Sequence, residues 1–343
     1  MLPIALGLSL ILAEPDAPVK KSPIAATVVS LLPTSGDHIR QYAFDGDDAT
    51  TYTTDKPPAE GDSVTLTFDE PVLVRSVSIK GRGLDGGTLE GSTDGQAFES
   101  LTGVHDGTGN AEPKKSLKAV RFVPAKDAKE PLQIAEISVD SDPAVHRFAF
   151  PVEFVVDEVD DPELKPWADK AARECEKSYD LINEALKSDG YTPARVVHLS
   201  IKNGIDVPAY ASGSRITGSA KWFKDHPGDV GAMIHESTHV VQRYRGRRNP
   251  GWLVEGVADY VRFVLYEPAN IGRLNVNTAR HDQSYRVTAR FLDYVSRKYD
   301  KDFVLKLNKA MREGKYSEDL FKESTGKALA DLGTEWKDSL TPQ

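Results

Sequence analysis

Two histidines four residues apart, His235 and His239, with Glu236 directly after the first, restrict this chain more than any other feature. On an α-helix, residues i and i+4 lie about 40° apart around the axis, so both imidazoles face one point. Paired imidazoles of this kind suit a metal ion, and a catalytic zinc takes three protein ligands and keeps a fourth position for water. A third ligand must then come from another segment. The stretch Trp252-Leu253-Val254-Glu255-Gly256-Val257-Ala258-Asp259-Tyr260 begins thirteen residues after His239. Glu255 is its candidate ligand. Asp259, one helical turn on, is either the alternative ligand or a carboxylate that accepts a hydrogen bond from the non-ligating nitrogen of a histidine. The pattern therefore demands two helices in close contact.

Both helices have readable ends. Asp229, after Pro227-Gly228, is the expected N-cap of the first, and Gly246 stands where a left-handed residue would close it. Val230, Met233, Ile234, Val240 and Val241 form its apolar face. Asn249-Pro250 opens the second helix, with proline in the first turn where its missing N–H costs nothing. The basic cluster Arg243, Arg245, Arg247 and Arg248 closes the first helix, where cations complement the negative end of the dipole.

A zinc ion acidifies a bound water and polarises a carbonyl, which is what amide hydrolysis needs. Glu236 is expected to take the proton of that water and pass it to the leaving amine. A developing oxyanion also needs a donor beside the metal. Tyr285, at the start of the next helix after a polar segment, is the first choice, with His281, Tyr244 and Tyr260 as alternatives. Residues 215–220, just before the histidine helix, are expected to form an edge strand to which a peptide substrate adds itself.

The chain has 343 residues, which suits two domains with real cores. Its net charge of -9 argues against a nucleic-acid partner. Residues 2–13 are an apolar and small-residue run ending at Ala13, before Glu14-Pro15-Asp16. That length matches a signal-peptide core and falls short of a membrane span. Residues 1–13 are thus read as a signal peptide, although no Lys or Arg precedes the run, and the protein is expected to be secreted, periplasmic or on the cell surface. Cys175 is the single cysteine, so no intrachain disulfide exists.

From residue 24 to 140, apolar residues alternate with polar ones, as in Val64, Leu66 and Phe68, and turns such as Gly91-Ser92-Thr93-Asp94-Gly95 separate the runs. This pattern predicts an all-β sandwich over residues 23–141. Ser141-Asp142-Pro143-Ala144 reads as a linker. Beyond it, residues 148–156 read as a strand, and 162–186, 290–298, 303–313 and 316–340 as helices, giving an α+β domain over residues 148–341.

The run His235-Glu236-Ser237-Thr238-His239-Val240-Val241-Gln242, then residues 252–262, then Val287-Thr288-Ala289-Arg290-Phe291-Leu292-Asp293-Tyr294, resembles the basic secretory protein family of plant and bacterial peptidases. Residues 252–260 also resemble the third-ligand helix of gluzincin aminopeptidases, which favours Glu255 over Asp259. The resemblance implies a zincin-like gluzincin fold, a small sheet over a helical half, with zinc as cofactor and peptides or glycoproteins as substrate. Plant members are named for a basic charge that this chain lacks.

The first domain resembles discoidin-like jelly rolls that bind carbohydrates and surfaces. The residues are Tyr42-Ala43-Phe44-Asp45-Gly46-Asp47-Asp48-Ala49-Thr50-Thr51-Tyr52, Val64-Thr65-Leu66-Thr67-Phe68, the turn at Gly91, and Ile134-Ala135-Glu136-Ile137. Relatives often carry Trp where Tyr52 stands, and residues 23–141 contain no tryptophan. The resemblance implies a glycan or cell-surface ligand and a structural calcium ion held by Asp45, Asp48 and Glu136. The leading expectation is a secreted zinc peptidase brought to its substrate by a binding module. The alternatives are a non-catalytic surface or matrix protein that retains the zinc site, and a hydrolase of an ester or a cell-wall amide.

Overall fold

The computed structural model describes residues 23–244 and 249–340. The expected signal segment 1–13, Gly246, and Arg245, Arg247 and Arg248 lie outside the described residues. Among the described residues no helix is long and apolar enough to cross a membrane.

The first domain is a β-sandwich, as the alternation predicts. Its strands are β1 (Ala26–Ser30), β2 (Tyr52–Thr53), β3 (Val64–Arg82), β4 (Thr88–Ser92), β5 (Glu99–Gly103), β6 (Thr108–Ala111), β7 (Lys115–Val123) and β8 (Gln133–Asp142). They join in the order β2-β8-β3-β7-β4-β5, with β1 and β6 also pairing to β3. Val64, Leu66 and Phe68 of β3 are buried, and after a register shift between Thr67 and Val72 so are Val72, Val74, Val77 and Ile79. This interruption lets one long strand serve several partners while keeping its apolar residues on the core side. Tyr52 is fully buried, with its hydroxyl donating to Leu32 O at 3.3 Å. It belongs to the core, not to a ligand-stacking surface.

The expected linker at residues 141–144 is instead part of the sandwich. β8 runs through Asp142, Ile24 N donates to Ala144 O at 2.8 Å, and Phe148 packs edge-on to Phe44 in the first core. The strand expected at 148–156 begins later, as β9 (Glu153–Val159). It is followed by α1 (Lys165–Leu186), β10 (Val196–Lys202), β11 (Ala209–Ser212), β12 (Arg215–Ser219), α2 (Ala220–Asp225), α3 (Gly231–Gln242) and α4 (Gly251–Tyr260). The chain then runs through a π-helical turn (Val261–Tyr266) into α5 (Tyr285–Lys298), α6 (Phe303–Arg312), α7 (Asp319–Thr325) and α8 (Leu329–Ser339). The long helix expected at 316–340 is split into α7 and α8, because Gly326 adopts φ 77° and closes α7 in the left-handed region.

The second sheet has the order β11-β12-β10-β9, with β10 parallel to both neighbours and β11 antiparallel to β12. β12 is therefore interior, and the free edge belongs to β11, one strand earlier than the sequence suggests. α1 buries Ala171, Ala172, Cys175, Tyr179 and Ile182 in the core that also takes α3, so Cys175 is a packing residue. Burial pushes its thiol up to about 12.

The domains are joined through buried charge. Arg40 of the sandwich lies 3.4 Å from Glu153 and 3.0 Å from Glu176 on α1, and Arg173 meets Glu176 at 2.8 Å. Gln41 Oε1 accepts Val152 N at 2.8 Å, and Thr34 donates to Glu153 at 2.7 Å. Removing one partner of a buried ion network leaves charge uncompensated, at a cost of about 3–5 kcal/mol. Arg40→Met is expected to lower stability on that scale, read as a fall in the thermal midpoint of the full chain, whereas Lys115→Met, which removes the solvent-exposed pair of Lys115 with Glu99, should leave the midpoint nearly unchanged.

Candidate metal centre and cleft

The histidine helix is fixed by its neighbours more than by its own caps. Asp229 does not cap α3: the N-cap is Val230, and Asp229 instead accepts Trp222 Nε1 at 2.9 Å and pairs with Arg262. A tertiary cation outcompeted the local N–H groups for this carboxylate. A Cβ at Gly231 would sit 2.1 Å from Glu267 Oε1, so a side chain there would displace the Glu267–Arg262 pair. At the other end Arg243, with φ 43°, takes the left-handed position expected of Gly246. In α4 the N-cap is Pro250, and Asn249 donates away from the helix, to Met311 O at 3.0 Å.

α3 and α4 together bring three donor atoms to one point. His235 Nε2 and His239 Nε2 are 3.1 Å apart, and Glu255 Oε2 lies 3.2 Å from the first and 3.4 Å from the second. Among the described residues these are the group of three side chains whose ligand atoms gather within 4.8 Å. A tetrahedral ion with bonds of about 2.0–2.1 Å has ligand-to-ligand edges of about 3.3–3.4 Å, so the triangle fits. The far nitrogens support the same reading. His235 Nδ1 donates to Asp259 Oδ1 and His239 Nδ1 to Gln242 Oε1, each at 2.7 Å. With both Nδ1 atoms carrying the proton, both Nε2 lone pairs face the centre. Burial disfavours charge on His235, yet the Asp259 and Glu255 carboxylates outweigh it and raise its pKa to about 9. Glu255, despite its own burial, is held down to about 2 by the two imidazoles. The centre thus attracts a cation, and a proton and a metal ion compete for the same nitrogens.

Asp259 stands on the outer nitrogen of His235, not in the triangle. Gln242 plays the matching part for His239 and was not singled out from the sequence, although it lies three residues on along the same helix. Its Nε2 also donates to Val254 O at 2.9 Å, tying α3 to α4.

The triangle opens into a cleft of about 780 Å³ lined by Val207, Tyr210, Ala211, Trp222, Glu236, Arg262, Phe263 and residues 283–287. Glu236 sits in its wall, 7% exposed, and burial raises its carboxyl pKa against the pull of both histidines. Tyr285 is 54% exposed, with its ring 6.1 Å from that of His235 at 23°. Its phenol pKa is raised, chiefly by the Glu255 charge, so it remains a hydrogen-bond donor. Ser284 and Tyr285 have φ 66° and 47°, a strained pair held at the mouth of the cleft. The three alternatives lie elsewhere: Tyr244 donates to Asn308 Oδ1 at 3.0 Å, Tyr260 faces Ser296, and His281 packs between Trp252 and Phe291.

In the sandwich, Glu136 is buried, its Oε2 accepting Gly46 N at 3.2 Å while Oε1 has no partner. Burial pushes Glu136 up to about 7, with Asp45 and Asp48 adding repulsion. Asp45 is bound up with Asp47 N and the Thr50 hydroxyl, and Asp48 turns to Lys80. These three carboxylates do not gather as closely as the histidine centre.

Residues 156–337 match the family described as peptidase of plants and bacteria. The chain belongs to that family. The matched span carries the whole histidine centre and the cleft, so the peptidase family assignment and the geometry refer to the same residues. No curated protein matches the chain. The N-terminal sandwich is similar in structure to CBM32 modules. CBM32-1 of a family 31 glycoside hydrolase from Clostridium perfringens is 11% identical, with TM-score 0.29, over 33% of this chain and 92% of its own. A fucose binding module from Streptococcus pneumoniae is 15% identical, with TM-score 0.28, over 33% and 91%. A chitosan-binding module of a chitosanase/glucanase from Paenibacillus is 13% identical, with TM-score 0.30, over 34% and 96%.

Outer hydrogen-bond partners of metal-binding histidines typically contribute about 10- to 100-fold in affinity. For a zinc ion held by this triangle, Asp259→Asn and Gln242→Leu are each expected to weaken binding on that scale, measured by competition with a chromophoric chelator.

Proposed function

We propose that the chain is a secreted zinc-dependent peptidase that hydrolyses proteins or glycoproteins and is brought to them by its N-terminal sandwich. The observation that carries this reading is the triangle of Nε2, Nε2 and Oε2 donors with both outer imidazole nitrogens already engaged, in a cleft of a chain that belongs to a peptidase family. His235, His239 and Glu255 would hold the ion, with Asp259 and Gln242 orienting the imidazoles. Zinc held there supplies Lewis acidity that polarises a carbonyl and acidifies a water.

The chain's own residues account for the rest. Glu236, whose burial raises its proton affinity, takes a proton from the attacking water and returns it to the leaving amine. Tyr285 stays protonated beside the Glu255 charge and donates to the oxygen on which negative charge develops. The free edge of β11, along the cleft wall, offers backbone groups to an extended peptide, which would lie as a further antiparallel or parallel strand. Val207, Tyr210 and Tyr285, all exposed large hydrophobic side chains, provide apolar contact in the same cleft.

The sandwich is read as a glycan- or surface-binding module. Calcium there would rest on Glu136, whose buried Oε1 lacks a partner, and on Asp45, with Asp48 left to Lys80. On that reading, millimolar calcium raises the thermal midpoint of the chain and Glu136→Gln abolishes the shift. An unchanged midpoint would remove calcium from the account.

Glu236→Gln is expected to lower kcat on a denatured protein substrate by about a thousandfold, within the hundred- to ten-thousandfold share typical of proton transfer, because the same carboxylate serves both halves of the reaction. Metal removal by a chelator should abolish hydrolysis and zinc restore it. Full activity after metal removal would refute the reading, and stoichiometric zinc with no hydrolysis of any peptide or glycoprotein would favour an idle binding protein instead.

A further inference from the structure

We infer that Arg286 selects substrates that present a carboxylate in the cleft. This rests on the peptidase reading and deepens it by naming a substrate class. Arg286 follows Tyr285 in the first turn of α5 and lines the cleft. Its guanidinium carbon lies 4.1 Å from the centre of the Phe263 ring. Arg262 approaches the same ring at 4.4 Å. The two guanidinium groups differ in their partners. Arg262 is neutralised by Asp229 and by Glu267, the latter at 2.6 Å.

Arg286 has no such partner among the described residues, because the neighbouring carboxylates are engaged elsewhere. Asp282 pairs with Arg280, Asp293 with Arg297, and Glu255 and Asp259 with the histidines. Arg286 is therefore a guanidinium without a carboxylate partner, exposed at the cleft, with its central carbon over an aromatic ring. A guanidinium whose N–H groups are not taken by a protein carboxylate is free to bind one through two parallel hydrogen bonds. The backbone adds to this. Ser284 makes no side-chain cap, so the first N–H groups of the fourteen-residue helix α5 have no side-chain acceptor at the cleft mouth. The positive end of the helix dipole and the arginine thus favour the same anionic group.

The carboxylate can belong to an acidic side chain near the scissile bond or to the C-terminus of the substrate. Four peptides of one sequence separate these sources: a neutral C-terminal amide, the same with Gln replaced by Glu on either side of the scissile bond, and the neutral sequence with a free C-terminal acid. Wild type is expected to favour one of the carboxylate sources over the neutral amide by at least about tenfold in kcat/KM. In Arg286→Met, which keeps an unbranched side chain at the site and removes the guanidinium over Phe263, that ratio should fall towards one. Arg286→Lys should hold an intermediate ratio, since it keeps the charge and loses the fork. The same peptides titrated calorimetrically into Glu236→Gln give the ratio as dissociation constants without any hydrolysis. Selectivity in binding without turnover by wild type would leave the inference standing and overturn the hydrolytic reading. Turnover with equal rates for all four peptides, or a preference that survives in Arg286→Met, would overturn the inference alone.

Discussion

Three Lewis bases held within 3.4 Å of one another define this molecule. Two lone pairs and a carboxylate so placed repel unless a cation lies between them, so the surrounding structure must supply the force that holds them together. Much of that force comes from the contact of α3 with α4. Gln242 bonds both His239 and Val254 O, and Asp259 reaches across from α4 to His235. Arg312 of α6 adds a brace, donating to Val241 O at 2.9 Å and Gln242 O at 3.3 Å, where the end of α3 would otherwise leave carbonyls unpaired. Preorganisation of this kind moves the cost of gathering the ligands from metal binding to folding.

The cleft mouth depends on a second close approach. Gly256, next to Glu255, faces Thr288 of α5, and a Cβ there would lie 2.1 Å from Thr288 Cγ2. The missing side chain lets α5 press against α4, while Thr288 donates to His281 O at 2.8 Å and anchors the preceding loop. That contact sets the start of α5, and with it the strained Ser284 and Tyr285 and the arginine that follows them. A glycine beside a metal-ligand candidate thus governs residues thirty positions away.

The sandwich and the peptidase domain share more than a peptide link. Arg40, Gln41 and Thr34 enter the base of the second sheet and α1, and Asp180 of α1 accepts Ala149 N and Phe150 N at 3.0 and 2.7 Å. Buried ionic contacts are poor sources of net stability but penalise every misaligned arrangement. In this chain they fix the orientation of the sandwich relative to the cleft.

Periodicity carried most of what the residues alone reveal. Alternation at Val64, Leu66 and Phe68 produced a sandwich strand, and the four-residue interval of His235 and His239 placed both rings on one side of a helix, because both signals are properties of the local backbone. Residue types made Glu255 the candidate ligand and left Asp259 as either its alternative or the acceptor behind a histidine, and the resemblance to gluzincin aminopeptidases favoured Glu255. What depended on distant partners was illegible. Asp229 reads as a cap until Arg262 and Trp222 claim it, and the edge strand is β11, not β12, because sheet order is set by pairing across the fold. Gln242, Gly256 and the joint at Arg40 act through residues far away in sequence. The sequence by itself determined which side chains can form the centre. Only the tertiary structure decided which acceptors orient them, which strand borders the cleft, and that Arg286 has no carboxylate partner among the described residues, since each of these is settled by competition among partners that only folding brings together.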